Sequence, residues 1–110
     1  MSRSTHRAPV FAALGDETRL SLLARLSKGP GCSITQLTDG TRLTRQAITK
    51  HLGVLERAGM VRRRRAGRKS VFEFDPQPLG VAREFLAEVS EQWDQALARL
   101  QSFVESDDRD

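Results

Sequence analysis

Residues Ser33 to Gly59 read SITQLTDGTRLTRQAITKHLGVLERAG, and the spacing of capping and apolar residues in this stretch decides the fold. Ser33 is placed to cap a short helix, and Gln36 three residues on can reach back to the Ser33 amide. Asp39-Gly40 supplies a turn, and Thr44 caps a second, longer helix. Gly59 closes that helix, because glycine accepts a left-handed backbone with no Cβ penalty. At about 100° per residue, Ile48, Leu52 and Leu55 form one stripe that faces a core. Gln46, Thr49, Lys50, Gly53 and Arg57 fall within about 100° of one another on the opposite side. That face offers amide, hydroxyl and cationic groups and no carboxylate, which suits the base edges and phosphates of a DNA major groove. An ordinary solvated helix face has the same pattern, so the next segment matters.

After Gly59 the chain runs Met60 to Ala66, turns at Gly67, and returns through Ser70-Val71-Phe72-Glu73-Phe74. Two short β-capable runs about a Gly-containing turn predict a hairpin. Its tip carries Arg64, Arg65, Arg68 and Lys69, four like charges that repel one another unless a polyanion neutralises them. Placed directly after a capped helix pair, this tip is expected over a phosphate backbone or in a minor groove.

The C-terminal stretch, from about Pro78 to Glu105, predicts one helix of about 40 Å at 1.5 Å per residue. Ala82, Phe85, Leu86, Val89, Trp93, Ala96, Leu97, Leu100, Phe103 and Val104 lie in an arc about 120° wide, with Glu84, Glu88, Glu91, Asp94 and Glu105 outside it. A protomer of 110 residues has too little core elsewhere to cover such a stripe, and a bare one marks a partner surface. Self-association about a twofold axis is expected, with Val10, Phe11 and Leu14 joining Phe85, Leu86, Val89, Trp93, Leu97 and Leu100 in the interface.

Towards the N-terminus, residues 1–8 are polar and basic and are expected to be a flexible arm, with Arg3, His6 and Arg7 within reach of DNA. Pro9 is expected to start a helix carrying Val10, Phe11 and Leu14, which Gly15 ends. Asp16 caps a second helix running to about Lys28, with Leu20, Leu22, Leu23 and Leu26 on several sides as befits the centre of a small domain. The folded domain is expected over 9–105, and 106–110 as a disordered tail.

The charge is uneven. Residues 1–80 hold 15 Lys/Arg against 6 Asp/Glu, a net +9, whereas 81–110 hold 3 against 8, a net −5. A basic body with an acidic C-terminal helix implies one surface for a polyanion and another for something else. The single cysteine, Cys32, excludes an internal disulfide and a cysteine-only metal site, and is read as a small buried hydrophobe. No apolar run resembles a signal peptide or a membrane span, so a cytoplasmic protein is expected. No base–nucleophile pairing, glycine-rich phosphate loop or metal-ligand spacing points to an enzyme.

From Val10 to Val104 the chain resembles the ArsR/SmtB family of small winged helix-turn-helix repressors. The likeness rests on Ala13-Leu14-Gly15-Asp16-Glu17-Thr18-Arg19, on Leu43 to Leu52, on Leu55-Glu56-Arg57-Ala58-Gly59-Met60-Val61 and on Gly67-Arg68-Lys69. It implies a mainly α fold with a small β-hairpin, in the order four helices, two strands, one helix. It also implies a homodimer, through the terminal helices, that binds a palindromic operator and blocks transcription. Carried onto this sequence, it places Arg45, Gln46, Thr49 and Lys50 in the groove, beside the cap Thr44, and Arg64, Arg65, Arg68 and Lys69 on phosphates. His51 matches a histidine usual in the family; on the flank of the helix it either touches phosphate or packs. Metal-sensing members carry paired cysteines on the first helix of the motif, or histidine and carboxylate ligands on the last helix. Here Ile34 to Asp39 has no thiol and the last helix no histidine, so no metal or other cofactor is expected and the effector is unknown. The competing expectation is a winged-helix protein-interaction adaptor without specific DNA readout.

Overall fold

The computed structural model describes residues 4–108, with side chains from Arg7 to Ser106. Helices α1 (Ser4–Leu14), α2 (Glu17–Leu26), α3 (Ile34–Thr38) and α4 (Arg45–Arg57) precede an antiparallel hairpin of β1 (Val61–Ala66) and β2 (Lys69–Phe74), and α5 (Gln77–Asp108) ends the chain. The order and class are those the sequence implies.

Local chemistry sets the boundaries. The Asp16 carboxylate accepts the Arg19 amide at 3.0 Å and starts α2. Ser33 and Gln36 form a reciprocal capping box at α3, with the Ser33 amide donating to Gln36 Oε1 at 2.9 Å. Thr44 Oγ1 accepts the Ala47 amide at 3.0 Å and opens α4. Gly59, at φ +79°, ends it. The Arg25 guanidinium donates to the carbonyls of Gln36, Leu37 and Asp39, satisfying the orphan acceptors at the C-terminus of α3.

Leu22, Leu23 and Leu26 of α2 meet Leu37 of α3 and Ile48, Leu52 and Leu55 of α4 in one core. Met60, Val61 and Phe72 extend that core to the root of the hairpin. Phe72 also exchanges two backbone hydrogen bonds with Cys32, of 3.0 and 2.8 Å, so the segment before α3 adds a short third rung to the sheet. The close approach requires Gly31: at φ +115°, a Cβ there would sit 2.8 Å from Val71 Cγ1. Cys32 is half-buried against the core.

Several expectations need correction. Helix α1 starts at Ser4, so Pro9 lies inside it and residues 4–8 are helical rather than an arm. A proline in a helix removes one backbone bond. Here packing on α5 offsets it: Arg7 lies 4.7 Å over the Phe85 ring, and Phe11 meets that ring edge-on at 5.5 Å. Arg3 and the His6 side chain fall outside the described residues. Helix α5 continues to Asp108 because no glycine or proline interrupts it after Gly80, so 106–108 are helical, and Arg109 and Asp110 lie outside the described residues. Leu20, expected inside, is exposed.

The N-terminal part of α5 packs on α1 through Ala82 and Phe85, whereas its C-terminal half projects and gives the protomer a long axis of 75 Å. Trp93 (64% exposed), Leu97, Leu100, Phe103 and Val104 are open on that projection, and Leu86 is open nearer its start. Val89 is half-buried. Val10 is enclosed in its own protomer at 3% exposure, so it is core and not interface, because α1 already folds onto α2 and α5. Phe11, Leu14 and Phe85 are half-covered within the protomer. No helix is long and apolar enough to cross a membrane.

Candidate nucleic-acid interface

Helix α4 buries Ile48, Leu52 and Leu55 completely, which fixes its rotation and turns the opposite face outward. Arg45, Gln46, Thr49 and Lys50 are all exposed and together line one open depression. Thr49 Oγ1 donates to the Arg45 carbonyl at 2.8 Å, leaving the oxygen lone pairs to accept from outside. Thr44 is exposed with its oxygen committed to the cap, so its hydroxyl proton is what it can offer a ligand. Arg45 differs from its neighbours. Its Nη1 donates to Thr35 Oγ1 at 2.9 Å, tying the guanidinium to α3 while the side chain still borders the depression on α4.

His51 does not join this face. It is half-buried, its Nδ1 accepting from Arg19 Nη1 at 3.3 Å with Asp16 Oδ2 3.9 Å away. Arg19 donates through Nε to the Ala13 carbonyl at 2.7 Å and through Nη2 to the Ala12 carbonyl at 3.2 Å. His51 therefore packs at the junction of α1, α2 and α4 with 23% of its side chain still exposed, an arrangement that supports the packing alternative. The Arg19 amide that the Asp16 carboxylate accepts holds that carboxyl below its usual range, with the Arg19 guanidinium adding to the effect.

The wing separates into paired and unpaired cations. Arg62 meets Asp75 at 2.9 Å, Arg63 meets Glu56 at 3.0 Å and stacks 5.0 Å over Phe72, and Arg64 meets Glu73 at 2.6 Å. Arg64, expected on phosphate, thus has a carboxylate partner within the hairpin. Arg65 bonds weakly to the Gly67 carbonyl at 3.4 Å. Arg68 and Lys69 are exposed at the turn and make no ion pair among the described residues. The β1–β2 register, with Ala66 opposite Lys69, places both at the very tip.

Sequence reasoning passed over Arg19 and Arg25, which organise backbone carbonyls, and Arg42, which is exposed in the turn before α4. Only the positive charge of that turn signalled Arg42.

Against known proteins, the helix-turn-helix domain family matches residues 14–64, from the end of α1 into β1. An HTH-type transcriptional regulator of Mycobacterium tuberculosis is 32% identical over 97% of this chain and 98% of its own length. Among solved structures, an ArsR-like transcriptional regulator from Rhodococcus sp. RHA1 superposes with a TM-score of 0.82, at 33% identity over 96% of this chain and 98% of that one. The homodimeric winged helix-turn-helix DNA-binding domain of a possible ArsR-family regulator from Mycobacterium bovis gives a TM-score of 0.62, at 27% identity over 84% and 82% of the two chains.

Proposed function

Because this chain belongs to the ArsR/SmtB-type winged helix-turn-helix transcriptional regulators, we propose that it is a dimeric, metal-independent repressor of a palindromic operator. The observation that carries the reading is the α4 face: Gln46, Thr49 and Lys50 stand exposed beside one another, with a cationic wing tip next in the chain. Gln46 offers the amide pair that reads adenine, and Lys50 a cation suited to guanine or phosphate. Arg68 and Lys69 neutralise backbone charge without regard to sequence.

Two copies are joined by α5. An isolated helix exposing Trp93, Leu97, Leu100 and Phe103 to water has little to hold it folded. A twofold mate covers that stripe, with Phe11 and Leu14 at its edge. The M. bovis structure, described as homodimeric, supports this arrangement. The two α4 helices then enter successive major grooves about 34–36 Å apart. The donor set supports the metal-independent reading: α3 carries no thiol, α5 carries no histidine, and the described residues hold no cluster of three or more His, Cys, Asp or Glu. A repressor acts by occupying the operator, so the regulated promoter overlaps the bound site.

Selection from a random duplex pool at physiological salt tests the reading. An enriched inverted repeat bound by two protomers, unaffected by zinc or cadmium, is expected, and a reporter carrying that repeat should be silenced by the protein. Failure of any sequence to enrich over the input pool would remove the recognition role of α4.

A further inference from the structure

The cations of this chain are not equivalent, and their pairing divides them. Arg62, Arg63 and Arg64 each have a carboxylate, in Asp75, Glu56 and Glu73. Arg45, Arg68 and Lys69 have none among the described residues, and these three converge on one cleft of about 300 Å³ between the start of α3 and the wing. Thr35 and Ser70 add hydroxyls to its wall, and no carboxylate lines it. Thr35 also fixes the direction of Arg45, since the 2.9 Å bond to its hydroxyl holds the guanidinium at the cleft. Helices and hairpin thus bring three uncompensated cations from distant parts of the sequence around one space, an arrangement that repels itself until an anion enters.

We infer that this cleft is a phosphodiester clamp: Arg45, Arg68 and Lys69 grip one backbone phosphate of the duplex whose groove α4 enters. The inference rests on the DNA-binding reading above and reassigns Arg45 from base recognition to the backbone. Guanidinium forks suit phosphate oxygens, and Arg45 keeps further N–H donors after bonding Thr35. Because one element of the clamp lies on the helix pair and the other on the wing, a single phosphate ties the two together.

The test uses the 110-residue chain, a selected duplex and a scrambled one, with R45A, R68A and the double variant; both substituted positions are exposed, and circular dichroism checks folding. Each single change should lower affinity for both duplexes by the same factor, roughly tenfold for one charge-assisted contact. The double variant should lose little more than a single one, since the two residues share a ligand. Its salt slope should fall by about one unit, the amount for one phosphate, and not two. A scan of single methylphosphonate substitutions should find one position per half-site that weakens the wild type and leaves R45A indifferent. A loss by R45A confined to the selected duplex would overturn the clamp and restore Arg45 as a base reader. Multiplying losses in the double variant would also overturn it. So would unchanged DNA affinity in R45A with loss of inorganic phosphate binding seen by titration, which would assign the cleft to a free anion. Should no sequence enrich, the specific-recognition reading fails, while salt slopes and methylphosphonates on random duplex still decide the clamp.

Discussion

Truncating Trp93 to alanine isolates the contribution of the α5 stripe to assembly. Trp93 is 64% exposed in the protomer and borders a shallow depression with Val89, Gln92 and Ala96. With about 250 Å² available to a tryptophan side chain, roughly 150 Å² awaits a partner. Removing the indole takes away about 120 Å² of this, or about 3 kcal/mol per protomer at ~25 cal/mol per Å². A twofold interface counts the change twice, giving an upper bound of about 6 kcal/mol. Association recovers only part of such area, so about half, roughly 3 kcal/mol, is the working figure, or about a hundredfold in the dimer dissociation constant. Alanine favours helix, so α5 itself should survive the change. Sedimentation equilibrium on wild type and W93A reads the constant directly. The chain has one tryptophan, so its emission should shift to the red as the wild type is diluted and dissociates. A wild type that is monomeric at micromolar concentration, with emission independent of dilution, would refute the reasoning.

Gln46→Ala should cost about 1–3 kcal/mol on the selected operator and much less on scrambled duplex, narrowing the ratio between them in a competition assay. Equal losses on both would show that α4 does not read bases there. Thr44→Ala removes the N-cap of α4 and should lower stability by about 1 kcal/mol in urea unfolding; an unchanged midpoint would mean another group takes over the cap. Asp16→Asn probes the acid limb. The Asp16 carboxyl is lowered in the folded chain, first by the Arg19 amide, so its contribution is complete above the usual carboxylate value and vanishes as pH falls through the lowered one. Asparagine still caps but does not titrate, so the urea midpoint of the variant should fall less between about pH 6 and pH 3 than that of the wild type. Parallel declines would exclude Asp16 as a source of acid sensitivity.

The helix-turn-helix was legible because its signals are local: Ser33, Gln36, Thr44 and Gly59 act within one turn of where they stand. The hairpin was legible from its two runs and from Gly67 between them. The start of α1 was not, since Pro9 argues locally for a helix start and only the stacking of Arg7 and Phe11 on Phe85 explains a helix that runs past it. Val10 misled for the same reason: an apolar residue near the N-terminus reads alike whether it faces its own core or a mate. The site was half legible. Periodicity gave the exposure of Gln46, Thr49 and Lys50, but charge counting treats all arginines alike. Which of them is neutralised depends on strand register, as with Arg64 beside Glu73, or on a contact across ten residues, as with Arg45 and Thr35.

The backbone exchange between Cys32 and Phe72 has a mechanical consequence for the hairpin. It clamps β2 to the body at the rung where Phe72 faces Arg63, leaving three rungs beyond as a cantilever about 10 Å long. So short a beam deflects little at its end. On the DNA-binding mode proposed above, the span from Arg68 to the outward face of α4 would be set before any duplex arrives, and DNA whose groove and backbone do not fit that span would itself have to bend to be held.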